Sequence, residues 1–183
     1  EVEMKTIIHV PHTVLITPTK PVGVVDKKIK QLIAEMKAAL IAADNPKGVG
    51  LAATQIGESL RIFVMRPAEK DELTTYINPK ITEASKETVR GIPGSDSRVE
   101  GCLSIPNIWG IVRRHKRVTL SFTTEDGKLY EKKFTGFRAI IIQHEVDHLD
   151  GILFTQRAIE QKEPLYKPVV DAKGKEVLEQ IEI

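Results

Sequence analysis

The run QHEVDH at positions 143–148 contains an HExxH motif, and this motif constrains the fold more than any other feature of the chain. Residues four apart share one face of a helix, so His144 and His148 can point two imidazoles at one metal ion. Glu145 lies beside the first histidine, where its carboxylate can take a proton from a water molecule held by such a metal. Apolar residues at 140–142 and 149 place this helix in a core. The motif therefore predicts a buried helix with hydrolytic metal chemistry.

A catalytic site of this kind usually takes three protein ligands, and the sequence offers two directions for the third. Downstream, Phe154 stands where one class of HExxH proteases has a third histidine, and Glu160 and Glu163 are the nearest carboxylates. Pro164 disfavours a continuing helix there. Upstream, Cys102 is the single cysteine of the chain. A lone cysteine is more often a small buried apolar residue, but a thiolate with two imidazoles suits iron(II), cobalt, nickel or zinc.

A third motif, GVGLAATQ at positions 48–55, matches the glycine pattern of a dinucleotide-binding loop. That loop should follow a strand and open a helix. Here the motif follows a predicted helix and the loop at 44–47, and a strand-like run comes after it. The context therefore argues against dinucleotide binding.

The patterning predicts an α+β fold in which residues 1–183 form one catalytic domain, with the motifs in about 6–157 and a tail at 158–183. Strands precede and surround the central helix instead of alternating with helices, which disfavours a parallel sheet. The expected elements are a helix at 26–43 with Asp26 as its N-cap, strands at 60–65, 73–78 and 79–89, a hairpin of 110–123 and 128–135, and the metal helix at 137–149.

Charge and hydropathy exclude some classes of partner. The net charge of +2 argues against a dedicated nucleic-acid site, and no apolar run approaches the length of a membrane span. The basic run at 113–117 is expected to be a solvated or ion-paired strand, with one arginine able to pair with Glu100. The first residues lack signal-peptide character. We therefore expect a cytoplasmic location in a bacterium, or an organellar one if a transit peptide has been removed.

Taken together, the three motifs resemble those of the peptide deformylase family, which read GxGxAAxQ, EGCLS and QHExDHLxG. This chain has GVGLAATQ at 48–55, EGCLS at 100–104 and QHEVDHLDG at 143–151, in the same order. The resemblance implies antiparallel β-sheets packed around the HExxH helix. It also implies an activity, the metal-dependent removal of the N-formyl group from the N-terminal formyl-methionine of nascent peptides during protein biosynthesis, with release of formate.

The resemblance also implies roles for individual residues. The metal ligands would be Cys102, His144 and His148, with Fe2+ as the usual ion and Zn2+, Ni2+ or Co2+ able to occupy the site. Glu145 would be the general acid and base. The oxyanion would be stabilised by the side-chain amide of Gln55 and the backbone N–H of Leu103. The substrate pocket would comprise Val49, Gly50, Gly101, Phe137, Ile140 and Ile141, with Arg98 and Trp109 nearer the peptide.

Many relatives end in a long helix that has been linked to ribosome contact, whereas any final helix here would be short or replaced by a strand. A transient ribosome contact by that route is therefore not expected. Two other functions remain open on the sequence. One is an HExxH endopeptidase whose third ligand follows His148, for example Glu163. The other is a metal-binding domain without catalysis, in which nothing would depend on Glu145.

Overall fold

In the computed structural model, which describes residues 2–183, antiparallel β-sheets pack around a central helix. The helices are α1 (Lys27–Ala42), α2 (Gly136–Leu149) and α3 (Phe154–Glu160), with short helical turns at Thr13–Ile16 and Ala53–Ile56. The strands, in chain order, are β1 (Gly50–Ala52), β2 (Ile62–Met65), β3 (Thr74–Ala84), β4 (Thr88–Arg90), β5 (Glu100–Cys102), β6 (Ile105–Gly110), β7 (Arg113–His115), β8 (Arg117–Thr123), β9 (Leu129–Thr135), β10 (Leu165–Val170) and β11 (Glu176–Gln180).

Across residues 2–183, the strands form a five-stranded sheet in the order β1-β2-β3-β8-β9, a four-stranded sheet in the order β11-β10-β6-β5, and the pair β4-β7. Helix α2, which carries the HExxH motif, packs on the five-stranded sheet and also touches β7. Helix α3 packs on β5 and β6. The predicted fold class, antiparallel sheets around the HExxH helix, is confirmed.

The five-stranded sheet is a middle layer between α1 and α2. Alternate residues of β2 point to opposite faces of the sheet. Phe63 packs in the core that contains α2, whereas Ile62 and Val64 pack in the core that contains α1. All four β2 residues are buried because both faces of the sheet are covered. On the α2 side, Phe63 stacks on Tyr76 with ring centroids 4.7 Å apart.

The sequence predicted both long helices closely. The α1 helix begins after Asp26, whose side chain accepts a hydrogen bond from the Ile29 N–H as an N-cap should. Four apolar residues at helical spacing are buried in its core face: Leu32, Ile33, Met36 and Leu40. The α2 helix differs from its predicted span only at its first residue, Gly136.

The predicted boundary between the strands at 73–78 and 79–89 was wrong. One strand, β3, runs through the predicted break, and β4 is a separate strand that starts only at Thr88. Pro79 cannot donate a ladder hydrogen bond, and the pairing of β3 with β8 shifts register between Ile77 and Lys80 instead of ending there.

The predicted hairpin was correct around its turn and wrong at its start. Strands β8 and β9 pair from Arg117↔Thr135 to Thr123↔Leu129. The residues before Arg117 belong to other sheets, because β6 ends at Gly110 and β7 pairs with β4. A partner strand far away in the sequence decides this division, and strand propensity alone does not contain that information.

The tail after α2 holds the short helix α3 and then the β10-β11 hairpin, in agreement with the expectation of a short final helix or a strand. None of the helices in residues 2–183 combines the length and the hydropathy needed to cross a membrane.

The end of α2 depends on Gly151, which adopts φ +75 and donates its N–H to the His148 carbonyl. A Cβ there would lie 2.8 Å from backbone atoms of Ile16. We expect Gly151→Ala to lower the free energy of unfolding by about 2–3 kcal/mol, through left-handed strain plus this overlap. Gly127→Ala is the matched control, since Gly127 has φ +79 with nothing within 4 Å of a Cβ.

The control should lose only the strain contribution, about 1–2 kcal/mol. Urea unfolding measures both variants. Equal losses would mean that the approach of Ile16 is not what requires glycine at the end of α2.

Candidate metal centre

Cys102, His144 and His148 form a buried cluster, the metal group, which can hold a metal ion. One donor atom from each residue lies within 4.8 Å of the other two, and the Cys102 Sγ is 3.2 Å from the His148 Nε2. An ion with bonds of about 2.1–2.3 Å in tetrahedral geometry separates its donor atoms by roughly 3.5 Å. The donors are therefore spaced for one ion, and a thiolate with two imidazoles suits a late first-row divalent metal.

A carboxylate sets the orientation of the first histidine. The Nδ1 of His144 lies 2.9 Å from the Glu100 Oε1, so the ring donates there and its Nε2 stays available to the metal group. Burial would raise the pKa of Glu100, but the charge of Arg114 and the hydrogen bond from His144 lower it to about 2. Glu100 is therefore a carboxylate at any physiological pH.

The two imidazoles differ in protonation. Burial lowers the pKa of His148 well below its usual value, and the neighbouring charges of His144 and Arg114 lower it further. Burial also disfavours the charged form of His144, but hydrogen bonds with Cys102 and Glu100 raise its pKa well above the usual value. His148 is thus neutral, as a metal ligand must be, and a bound cation would take the place of the His144 proton.

Arg114 joins the strand of Cys102 to the metal helix. It is 5% exposed. Its Nε and Nη2 donate to the Glu100 carboxylate at 3.0 and 2.8 Å, and its Nη1 donates to Asp147 at 2.6 Å. Arg157 donates to both oxygens of Asp147, at 3.2 and 2.9 Å. The expectation that an arginine of the basic run pairs with Glu100 is confirmed, and Asp147 is part of the same network.

Gln143 anchors the metal helix to β7. Its side-chain oxygen accepts from the His115 backbone N–H, and its amide nitrogen donates to the His115 carbonyl, both at 2.9 Å. These two bonds reproduce the pairing that a neighbouring strand would make. Gln143 therefore has a structural role in holding α2, a role that the motif alone left undecided.

Glu145 is 3% exposed and points into the same space as the metal group. Within residues 2–183, its Oε2 has no hydrogen-bond partner. Burial, with the nearby Glu100 charge, raises the pKa of Glu145 to about 7, although His144 and Arg114 oppose the rise. A carboxylate with this pKa can accept and return a proton near neutral pH.

Gly50 makes room for this carboxylate. A Cβ at Gly50 would lie 2.6 Å from the Glu145 Oε1 and 3.0 Å from a side-chain carbon of Ile141. Any larger residue would therefore displace Glu145. This is a specific requirement for glycine in GVGLAATQ.

The Gln55 side chain is held with its amide nitrogen towards the metal group. It is 1% exposed. Its oxygen accepts from the Ala52 N–H at 3.0 Å, and its Nε2 donates to the Ser104 Oγ at 3.1 Å and lies 3.6 Å from the Cys102 Sγ. The amide nitrogen thus donates to Ser104 and to the Cys102 sulfur, and this pair of bonds holds it beside the metal group.

Ser104 is a polar residue at this site that the sequence analysis missed. It is fully buried and its hydroxyl orients the Gln55 amide. Its place as the last residue of EGCLS was the available signal, but a serine in a motif does not reveal its partner. The N-terminal segment supports both residues, because the Ile8 N–H donates to the Gln55 carbonyl and the Val10 N–H to the Ser104 carbonyl.

A cavity of about 200 Å³ opens beside the metal group. Nearly all the predicted site residues line it: Val49, Gly50, Gln55, Gly101, Cys102, Leu103, Phe137, Ile140, Ile141, His144 and Glu145. Trp109, Ile92 and Val99 add an apolar wall, whereas Arg98 and the ligand candidate His148 are not part of the lining. Strands β1 and β5 are edge strands of their sheets, and each borders the cavity through a glycine.

Glu163, the alternative third ligand for an endopeptidase, is engaged elsewhere. Its carboxylate pairs with Arg90 at 2.8 Å and with Arg113 at 3.0 Å. Glu160 lies at the end of α3, exposed, with Gln156 and Arg157 as its neighbours. Neither carboxylate joins the group formed by Cys102 and the two histidines.

Comparison with known proteins gives one consistent family. A family model described as polypeptide deformylase matches residues 4–164. The chain is 39% identical over 171 residues to the peptide deformylase of Chromobacterium violaceum, which covers 93% of this chain and 96% of that protein. The solved peptide deformylase of Thermotoga maritima superposes with a TM-score of 0.75 at 35% identity, over 85% of this chain and 97% of that one.

A peptide deformylase of Acinetobacter baumannii, solved with Met-Ala-Ser bound, also has a TM-score of 0.75, at 32% identity. The match covers 86% of this chain and 99% of that one. These likenesses extend well beyond the three motifs.

Arg114→Met is expected to lower the free energy of unfolding by about 3–5 kcal/mol, because it leaves Glu100 and Asp147 as buried carboxylates without their shared partner. Arg117→Met is the matched control. Arg117 is 52% exposed and pairs with Glu87 at the surface, so its loss should cost less than about 1 kcal/mol. Chemical denaturation of both variants measures the two losses in the free energy of unfolding. Similar small losses in the two variants would show that Arg114 does not stabilise the contact between β5 and α2.

Proposed function

This chain belongs to the peptide deformylase family of hydrolases, and we propose that it removes the formyl group from the formyl-methionine of nascent peptides with a metal ion held by Cys102, His144 and His148. The observation that carries the proposal is the buried group of one cysteine sulfur and two imidazoles, with Glu145 lining the cavity that opens beside it. We propose Fe2+ as the resident ion, with Zn2+, Ni2+ or Co2+ able to bind the same donors.

In the proposed reaction, Glu145 moves the protons. A bound divalent ion supplies Lewis acidity, which acidifies a water molecule and polarises the formyl carbonyl. Glu145 takes a proton from that water as the water oxygen forms a bond to the formyl carbon. The carboxyl group then gives the proton to the departing nitrogen as the C–N bond breaks. The products are formate and a peptide with a free amino group.

The developing oxyanion would be stabilised by the Gln55 Nε2 and the backbone N–H of Leu103. Both residues line the cavity, and Gln55 is already oriented by Ala52 and Ser104. Because these donors are fixed before the reaction, no reorientation is needed as charge develops. Removing one donor of this kind typically costs about 10²–10³ in kcat.

The methionine side chain would occupy the apolar end of the cavity, formed by Val49, Phe137, Ile140 and Ile141. An unbranched thioether fits such a slot. The edge strands β1 and β5 offer unpaired backbone groups on either side, so an extended peptide could pair with them as an added strand. The A. baumannii relative that binds Met-Ala-Ser supports a peptide that begins with methionine.

We also propose that residues 1–183 act as one catalytic domain, in which about 6–157 carry the site and 158–183 form a structural tail. The location would be the bacterial cytoplasm or an organelle. Residues 154–180 form α3 and the β10-β11 hairpin, so a transient contact with the ribosome through these residues would not use a long helix. No membrane partner and no dedicated nucleic-acid site are part of the proposal.

Formate release tests the proposed function. The protein is prepared anaerobically with Fe2+ and given formyl-Met-Ala-Ser, and the acetyl form of the same peptide is the control. Rapid formate release from the formyl peptide, with the acetyl peptide intact, is expected. If the metal-loaded protein releases no formate and instead cleaves internal peptide bonds, the activity is that of an endopeptidase.

Substitution of a proposed ligand and of the proposed base should have separable effects. Cys102→Ala is expected to lose both bound metal and turnover. Glu145→Gln should keep the metal and lose about 10²–10⁴ in kcat, because the proton carrier is gone while the ligands remain. His115→Ala is the control, since this exposed imidazole lies on the surface, where its Nδ1 bonds the Ser85 backbone carbonyl. Metal analysis and formate kinetics check each variant. Full turnover in Glu145→Gln would mean that another group is the base.

Ser104→Ala is expected to lower kcat about tenfold with little change in KM, because the Gln55 amide loses the acceptor that aims it. The same substitution in a Gln55→Ala background should have almost no further effect on kcat, since no amide remains to be aimed. A double-mutant cycle on kcat measures this coupling. Additive losses in the double variant would show that Ser104 acts independently of Gln55.

A further inference from the structure

We propose that Trp109 determines specificity for the residue directly after formyl-methionine and favours a large apolar side chain at that position. The inference rests on the proposed deformylase function and concerns a wall of the cavity to which the proposed reaction assigns no role. Trp109 is the only tryptophan of the chain, is partly exposed and lines the cavity beside the metal group.

The indole of Trp109 lies directly over Gly101. The two residues are paired across β5 and β6, and a Cβ at Gly101 would lie 2.4 Å from the Trp109 Cζ3 and 2.7 Å from its Cε3. The ring therefore occupies the space that a side chain on the metal-bearing strand would otherwise fill. This places an aromatic surface one residue away from Cys102.

The alternation of side chains along β5 defines which side of that strand Trp109 covers. The residues before and after Gly101 point towards α2, since Glu100 contacts His144 and Cys102 contacts His148. In a strand, neighbouring side chains point to opposite faces. The Gly101 position therefore faces away from α2, and the indole lies on that opposite face.

A peptide added to the free edge of β5 follows the same alternation. Its methionine side chain would point towards α2, where the apolar pocket residues Phe137, Ile140 and Ile141 lie. The next side chain would then point to the other face, where Trp109 lies. The geometry thus assigns the indole to the second residue of the peptide and not to methionine itself.

The chemistry of this wall is apolar. Ile92 and Val99 line the cavity together with Trp109. A large apolar side chain would bury area against the ring, whereas an alanine would leave the ring uncovered. Discrimination by such contacts is modest, on the order of tenfold.

The first experiment compares kcat/KM for formyl-Met-Leu-Ser and formyl-Met-Ala-Ser. The unmodified protein is expected to prefer the leucine peptide by about tenfold, mainly through KM. Trp109→Ala should reduce the preference to less than about twofold, and Trp109→Phe should retain most of it. Tyr166→Ala is the matched control. Tyr166 is the partly buried aromatic that pairs with Trp109 from β10, but it does not line the cavity, so the preference should be unchanged.

An equal preference in the unmodified protein and in Trp109→Ala would overturn the inference while leaving deformylation intact. Absence of formate from every peptide would instead contradict the proposed function. The two failures are therefore distinguishable.

A second measurement does not depend on turnover. Because Trp109 is the only tryptophan, its fluorescence reports on this wall alone. In the Glu145→Gln variant loaded with metal, formyl-Met-Leu-Ser should change the emission in a saturable way, and half-saturation should need about tenfold less peptide than with formyl-Met-Ala-Ser. Calorimetric binding of either peptide without any change in emission, or no binding of either peptide, would overturn the inference.

Discussion

The Arg114 guanidinium joins the strand that carries Cys102 to the helix that carries His144 and His148. It donates to Glu100 on one side and to Asp147 on the other, and all three groups are buried. The metal group comes from segments that are distant in sequence, so its geometry depends on holding β5 against α2. Without this partner the two buried carboxylates would repel each other and would lose the hydrogen bonds that Arg114 donates to them. The site therefore depends on an ion network whose members are not themselves proposed ligands.

Two glycines leave the space that two other side chains occupy beside the cavity. Gly50 leaves the space in which the Glu145 carboxylate lies, and Gly101 leaves the space in which the Trp109 ring lies. Each glycine stands on an edge strand, one in each of the two larger sheets. The cavity thus lies between two strand edges. The Glu145 carboxylate lies against one edge, and the Trp109 ring lies against the other. This arrangement suits an extended peptide whose scissile group lies between them.

Much of the site could be predicted because its residues stand in local patterns. The spacing of His144 and His148 requires a common helix face. The three motifs identified the family, and the family implied the fold class. The divisions between strands were harder to predict. The sequence analysis divided β3 between residues 78 and 79, and it joined the strand before Arg117 to the wrong hairpin. In both cases the partner strand, which lies far away in the sequence, decides where a strand begins and ends.

The sequence by itself determined the donor types, the face of the helix that carries two of them, and the family to which the chain belongs. Those features follow from residue identity and from helix geometry over four residues. The tertiary structure decided the pKa of Glu145, the partner of Gln55 and the position of Trp109 over Gly101. Each of these depends on burial and on contacts between distant segments. Such contacts exist only after the sheets and helices have packed, so local spacing cannot specify them.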